Sequence, residues 1–160
     1  MDLVVSGVMN KNVVAANANM SLEELGSLFV EHRFSGFPVV DDDELIGVVT
    51  KSDLVKGLYP QYDITKATFS DANWSQMIAN SLGNIALTTS VADVMTRDVI
   101  TVKPQDNLRD AADLMYENRI HRVFVVKNNR LVGVLAPFDF VRLYSRNRLI
   151  AGRNTPTLDF

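Results

Sequence analysis

The chain has 160 residues, 47% of them apolar and 22% charged, a composition and length that suit one compact globular domain or two very small ones sharing a core. A formal charge of −3 argues against sequence-independent nucleic-acid binding, which needs a basic surface. The absence of cysteine excludes disulfides, thiolate metal sites and a cysteine nucleophile, and with only His32 and His121 a histidine-rich metal site is not expected.

The start, Met1-Asp2-Leu3-Val4-Val5-Ser6, lacks the basic head and long apolar run of a signal peptide. No later stretch approaches the roughly 20 apolar residues of a membrane span, so the cytoplasm is the expected compartment. Asn12-Val13-Val14-Ala15 reads as a short strand. Ser21-Leu22-Glu23-Glu24 has the form of a capping box, and Leu22, Leu25, Leu28 and Phe29 follow at helical spacing. The polar segment from His32 to Gly36 ends that helix. Phe37-Pro38-Val39-Val40 and Leu45-Ile46-Gly47-Val48-Val49 read as a hairpin around the turn Asp41-Asp42-Asp43-Glu44. This acidic run is a solvated turn; a calcium loop would need glycine and a distal glutamate at fixed offsets, which are missing. Residues 58–88 are less regular, with Trp74, Met77, Ile78, Leu82 and Ile85 at near-helical spacing. A short amphipathic helix there would pack on the domain or on a partner subunit. Next come a strand over Val99–Val102, a helix start at Asn107-x-x-Asp110, and a hairpin of Val123–Val126 with Leu131–Leu135 around Asn128-Asn129. Pro137 stands where the last helix should begin, a position that tolerates its missing N–H. The tail from Ser145, with Arg146, Arg148 and Arg153, has few apolar anchors and reads as a frayed terminus.

The second half of this series copies the first. A shift of 86 positions superposes residues 8–55 on 94–141 without a gap and with 14 identities, among them Met9/Met95, Arg33/Arg119, Gly47/Gly133 and Asp53/Asp139. A repeat of this length is one supersecondary unit duplicated, so that the copies can bury each other's apolar faces.

Two segments have the residues for chemistry. In Gly47-Val48-Val49-Thr50-Lys51-Ser52-Asp53 a strand ends and a helix begins. Thr50 with Asp53 three residues later is a capping arrangement that also suits the helix dipole. The same features suit a ligand: free N–H groups and a hydroxyl for a phosphate, a carboxylate for the hydroxyls of a ribose, and Gly47 for close approach of backbone or ligand. The second copy, Gly133-Val134-Leu135-Ala136-Pro137-Phe138-Asp139, keeps the acid and loses the hydroxyl. The other segment is Arg119-Ile120-His121-Arg122, whose cations could grip phosphate or simply be solvated. Its counterpart, Arg33-Phe34-Ser35-Gly36, is far less cationic.

Taken together, Val8-Met9-Asn10-Lys11, Val94-Met95-Thr96-Arg97, Phe37-Pro38-Val39-Val40-Asp41 and Gly47–Asp53 resemble a tandem pair of cystathionine-β-synthase (CBS) domains, the Bateman module. The resemblance implies an α/β (α+β) fold of two β-α-β-β-α repeats packed with pseudo-twofold symmetry. The repeats would be residues 1–57 and 89–144, joined by 58–88 and followed by a tail over 145–160. It implies two clefts for adenosyl ligands (AMP, ADP, ATP or S-adenosylmethionine), held as regulatory ligands and not as an obligatory cofactor. The first site would take Thr50, Ser52 and Asp53 for phosphate and ribose, Val48, Ile100 and Ile120 for the base, and His121 and Arg122 for the phosphates. Asn118–Arg122 is similar to the phosphate-contacting loop of the regulatory γ subunit of AMP-activated kinase. The second site would use Asp139, Phe138 and Val134 with Val14, Phe34 and Ser35. Ala136, and Phe124 in place of the family's proline, imply weaker phosphate binding there.

The expectation is a non-enzymatic regulatory sensor that forms a homodimer, with no metal, nucleic-acid or membrane partner. Its alternative is a structural dimerisation module with vestigial clefts. Asp53 and His121 as an acid–base pair would lack a nucleophile or metal to work with. Any regulated partner is expected to be another protein, or a domain cut away from this one.

Overall fold

A computed structural model describes residues 3–59, 76 and 89–150, with side chains as far as residue 146. The expected helix around Trp74–Ile85 and Arg153 lie outside the described residues, as does the side chain of Arg148. No helix among the described residues is long and apolar enough to cross a membrane. The chain is a mixed α/β protein that divides into two compact units, residues 14–100 with 128–131, and residues 1–13 with 101–127 and 132–160.

In the unit of the first repeat, β1 (Ala16–Asn17) runs parallel to β2 (Gly36–Asp41), which pairs antiparallel with β3 (Glu44–Thr50). The hairpin is set by its turn, where Asp42 and Asp43 take φ of 45° and 68°, the left-handed pair that matches strand twist. α1 (Leu22–His32) crosses over from β1 to β2, and α2 (Lys51–Leu58) leaves the end of β3. Ser21 caps α1 as its sequence predicts: its Oγ accepts the Glu24 N–H at 3.2 Å, and Glu24 Oε2 accepts the Ser21 N–H at 2.8 Å. Arg33 ends the helix in the left-handed region, with φ 53°. The short helix α3 (Val91–Val94) has the same device at Ser90 and Asp93. Leu22, Leu25, Phe29, Phe37, Val39, Val49, Leu54, Val55 and Val91 form the core. The tip of the second hairpin also belongs to this unit, since the Leu45 N–H donates to the Asn129 carbonyl at 3.0 Å.

The other unit repeats the plan. β4 (Thr101–Val102) runs parallel to β5 (Val123–Lys127), and β6 (Arg130–Leu135) lies beside β5. Between them stands α4 (Leu108–Glu117), capped by Asn107, whose Oδ1 accepts the Arg109 N–H at 2.8 Å. Asn128 and Asn129 take φ of 52° and 66° at the hairpin turn. α5 (Pro137–Ile150) starts at Pro137 as expected and continues past Ser145, where a tail was expected. Val5, Val8, Leu108, Ala111, Met115, Val123, Val125 and Leu135 form this unit's core.

Two expectations are corrected. The first strand is Ala16–Asn17 and not Asn12–Ala15, because its position is fixed by parallel pairing with Val39 and Val40. Its counterpart shortens to Thr101–Val102 for the same reason, pairing with Phe124 and Val125. The Val-Met segment that opens each copy also packs with the hairpin of the other copy. Asn10 bridges Val134, and Thr96 bridges Val48. This explains Gly47 and Gly133. A Cβ on Gly47 would lie 2.6 Å from Met95 Sδ and 2.9 Å from the Thr96 carbonyl, and one on Gly133 would lie 2.5 Å from Met9 Sδ. Close approach was expected at Gly47, and the approaching group is Met95.

Candidate functional site

The end of β3 and the start of α2 build one half of the candidate site. Thr50 is extended (φ −113°, ψ 168°) and serves as N-cap. Asp53 Oδ2 accepts two bonds, from the Thr50 N–H at 2.8 Å and the Thr50 hydroxyl at 2.7 Å. The Asp53 N–H in turn donates to Thr50 Oγ1 at 3.3 Å. The capping arrangement is therefore formed in full, and the Thr50 hydroxyl hydrogen is directed at Asp53. Among the described residues nothing donates to Asp53 Oδ1. A carboxylate oxygen has two acceptor positions, so this one remains able to accept a pair of hydroxyls. Ser52 is half-buried on the first turn, and the Lys51 N–H donates to the Ser35 carbonyl at 3.2 Å. Val48 is half-buried, its backbone held by two bonds to Thr96 at 2.8 and 2.9 Å. Ile100, in the same unit, is exposed.

The loop from α4 to β5 carries the cations. Arg119 takes φ 53°, matching Arg33 at the same place in the first copy. His121 is exposed, Arg122 is half-buried, and Ile120 packs against the core of its unit. Beside this loop a cleft of about 670 Å³ opens, lined by Met115, Tyr116, Ile120, His121, Pro137 and Phe140 among others. The first copy carries a ring cluster at the matching positions. Its corresponding residues are Phe29, His32, Phe34 and Phe37, and their rings pack together, with Phe29–Phe37 centroids at 4.9 Å and His32–Phe34 and Phe34–Phe37 both at 5.6 Å. The second copy has Met115, Asn118, Ile120 and Val123 instead. Of these, Met115 and Ile120 line the cleft.

The second copy of the strand-to-helix corner differs in its bonding. Asp139 is 7% exposed, and its Oδ2 accepts the Ala136 N–H at 2.9 Å, as Asp53 does from Thr50. With alanine at 136 there is no hydroxyl bond. Asp139 Oδ1, however, is paired with the Arg142 guanidinium at 2.9 Å, and the same Arg142 nitrogen donates to the Val8 carbonyl at 3.0 Å. Arg142 was not anticipated from sequence. The only signal was its i,i+3 spacing from Asp139, with Lys56 at the matching place in the first copy. Val134 is held by Asn10 through two bonds of 2.9 Å, and Phe138 is 75% exposed. In the other unit, Val14 is half-buried, Phe34 stacks on His32, and Ser35 is exposed. The structure thus brings Val48, Thr50, Ser52 and Asp53 together on one corner and Ile120, His121 and Arg122 on one loop. Among the described residues no group of three His, Asp or Glu side chains could hold a metal ion.

Known proteins are similar to this chain in sequence and fold. An uncharacterized protein of Methanocaldococcus jannaschii is 32% identical over 152 residues, covering 87% of this chain and 89% of that protein. A second from the same organism is 32% identical over 145 residues, covering 90% of this chain but only 40% of its own length. The CBS-pair protein CBSX2 of Arabidopsis thaliana superposes with a TM-score of 0.72 at 27% identity, covering 93% of this chain and 99% of that one. CBSX2 in complex with AMP gives a TM-score of 0.66 at 28% identity, covering 91% and 98%. Residues 5–59 and 91–146 each match the CBS domain family model. With both copies matched over more than half its length, the chain belongs to the CBS domain family as a tandem pair.

Proposed function

We propose that the chain is a non-enzymatic regulatory module of the cytoplasm that binds an adenosyl ligand, of which AMP is the first to test. Asp53 Oδ1 accepts the ribose hydroxyls, and Thr50 holds that carboxylate in place. A Thr50 hydroxyl that turned to a phosphate would give up its 2.7 Å bond to Asp53, so positioning is its main role. Ser52 and the start of α2 face the phosphate. Val48 and Ile100, of the same unit, contact the base. The observation that carries this reading is an Asp53 whose Oδ2 is bonded twice while, among the described residues, nothing donates to its Oδ1. Its support is a family in which a relative of 28% identity was solved with AMP.

Ligand binding regulates only by favouring one of two states, so the ligand must bind those states with different affinity. The module is proposed to act as a homodimer on a separate protein. Tyr116, Phe138 and Val141, exposed by 86%, 75% and 59%, are apolar surface available to a second copy. A purely structural dimerisation module is the rival reading. Isothermal titration with AMP, ATP and S-adenosylmethionine, with Asp53→Ala as control, decides between them. Binding below millimolar concentration that is lost in the variant supports the sensor. No binding, or equal binding by the variant, refutes it.

A further inference from the structure

The two copies of the ribose-accepting carboxylate are wired differently, and the difference lies in one residue that is outside the proposed ligand contacts. Asp53 uses Oδ2 for its cap, and among the described residues nothing donates to its Oδ1. Asp139 uses Oδ2 for its cap and gives Oδ1 to Arg142. The matching residue in the first copy, Lys56, is exposed and makes no bond to Asp53. Arg142 is held from two sides, since the same nitrogen donates to the carbonyl of Val8, itself 6% exposed. The guanidinium therefore lies across the oxygen that a ribose diol would need, and it neutralises the carboxylate's charge.

We infer that Arg142 is a built-in latch that closes the second ribose acceptor, so that the chain takes one adenosyl ligand and not two. This rests on the proposed ligand class. It differs from a weak second site explained by the missing hydroxyl at Ala136, because it makes the silence of Asp139 reversible by a change at Arg142 alone. Asp139 also keeps one acceptor position on Oδ2 that Thr50 fills in the first copy. Freed of Arg142, it would have acceptor capacity at both oxygens.

The test is AMP titration of the full chain, Arg142→Gln and Arg142→Lys, with thermal unfolding to confirm folding. Wild type should saturate at one AMP per chain and lose it in Asp53→Asn. Both Arg142 variants should saturate at two, with the second event kept in the Asp53→Asn background and lost in Asp139→Asn. Folded Arg142 variants that still saturate at one overturn the latch and leave the first site standing. A wild type that binds two with equal affinity also overturns it. Binding gained only in the Arg142 variants, with none in wild type, keeps the latch and removes the first site. No binding by any of them removes both. The wild type gives a second readout that needs no variant: the guanidinium signals of Arg142 in a nitrogen-15 spectrum should stay fixed through millimolar AMP, and a saturable shift overturns the proposal.

Discussion

Changing Thr50 to alanine makes the first corner resemble the second, and the structure says what that costs. Two bonds disappear, the 2.7 Å hydroxyl-to-carboxylate bond and the 3.3 Å bond from the Asp53 N–H. The Thr50 N–H bond to Asp53 remains possible, because Ala136 makes the same bond to Asp139 at 2.9 Å. Loss of an N-cap side chain costs typically ~1 kcal/mol, and the short bond to an ionised acceptor moves the value toward about 1.5 kcal/mol. For a chain of this size that corresponds to a fall in Tm of about 3–6 °C. The cost should be coupled to Asp53 by ~0.5–1.5 kcal/mol in a double-mutant cycle with Asp53→Asn. The reverse change, Ala136→Thr, should stabilise by about 0.5–1 kcal/mol, since Asp139 Oδ2 has room for one more donor. Calorimetry or denaturant unfolding of the four variants is the assay. If Thr50→Ala unfolds within about 1 °C of wild type, or if its cost is purely additive with that of Asp53→Asn, the cap does not hold the carboxylate as described.

Other perturbations have equally definite outcomes. Gly47→Ala should cost about 1–3 kcal/mol by overpacking against the fixed Thr96 carbonyl. Gly133→Ala should cost less, because its 2.5 Å neighbour is the end of a flexible methionine and the Asn10 carbonyl is 3.2 Å away; denaturant midpoints measure both. Met115→Phe should change stability by less than about 1 kcal/mol, because the ring has an adjoining cleft to enter, whereas Phe29→Ala should cost about 3–5 kcal/mol. The Ser21 and Ser90 backbone N–H groups, and then their hydroxyls, hold the Glu24 and Asp93 carboxyls below their ordinary values. Folding therefore has this support in full above the ordinary carboxylate range and loses it as pH falls through the lower folded values. Denaturant midpoints between pH 7 and 3 should show a shallower acid decline in Glu24→Gln and Asp93→Asn. On the proposed homodimer, wild type should scatter as a dimer and Val141→Glu as a monomer; a monomeric wild type refutes the dimer, and an unchanged mass in the variant refutes the proposed surface.

Much of the fold was legible because local chemistry sets it. Asp42-Asp43 and Asn128-Asn129 fix the hairpins by tolerating left-handed backbone, and Ser21 with Glu24 announces α1. The strands at Ala16–Asn17 and Thr101–Val102 were misplaced or overextended because two residues carry no period of their own; their partners define them. The exchange of the Val-Met segments was hidden for a similar reason, since it is a long-range packing of Met9 on Gly133 and Met95 on Gly47. At the site, the Thr50–Asp53 corner followed from spacing. Arg142 did not, because its second anchor is a backbone carbonyl 134 residues away, where side-chain identity leaves no trace.

Asp53 and Asp139 are unequal acceptors, and amide-resolved NMR during an AMP titration tests that inequality most directly. The signals of Thr50, Ser52 and Asp53 should move saturably at ligand concentrations that leave Ala136, Phe138 and Asp139 in place. Parallel movement of both sets, or movement of neither, would contradict it.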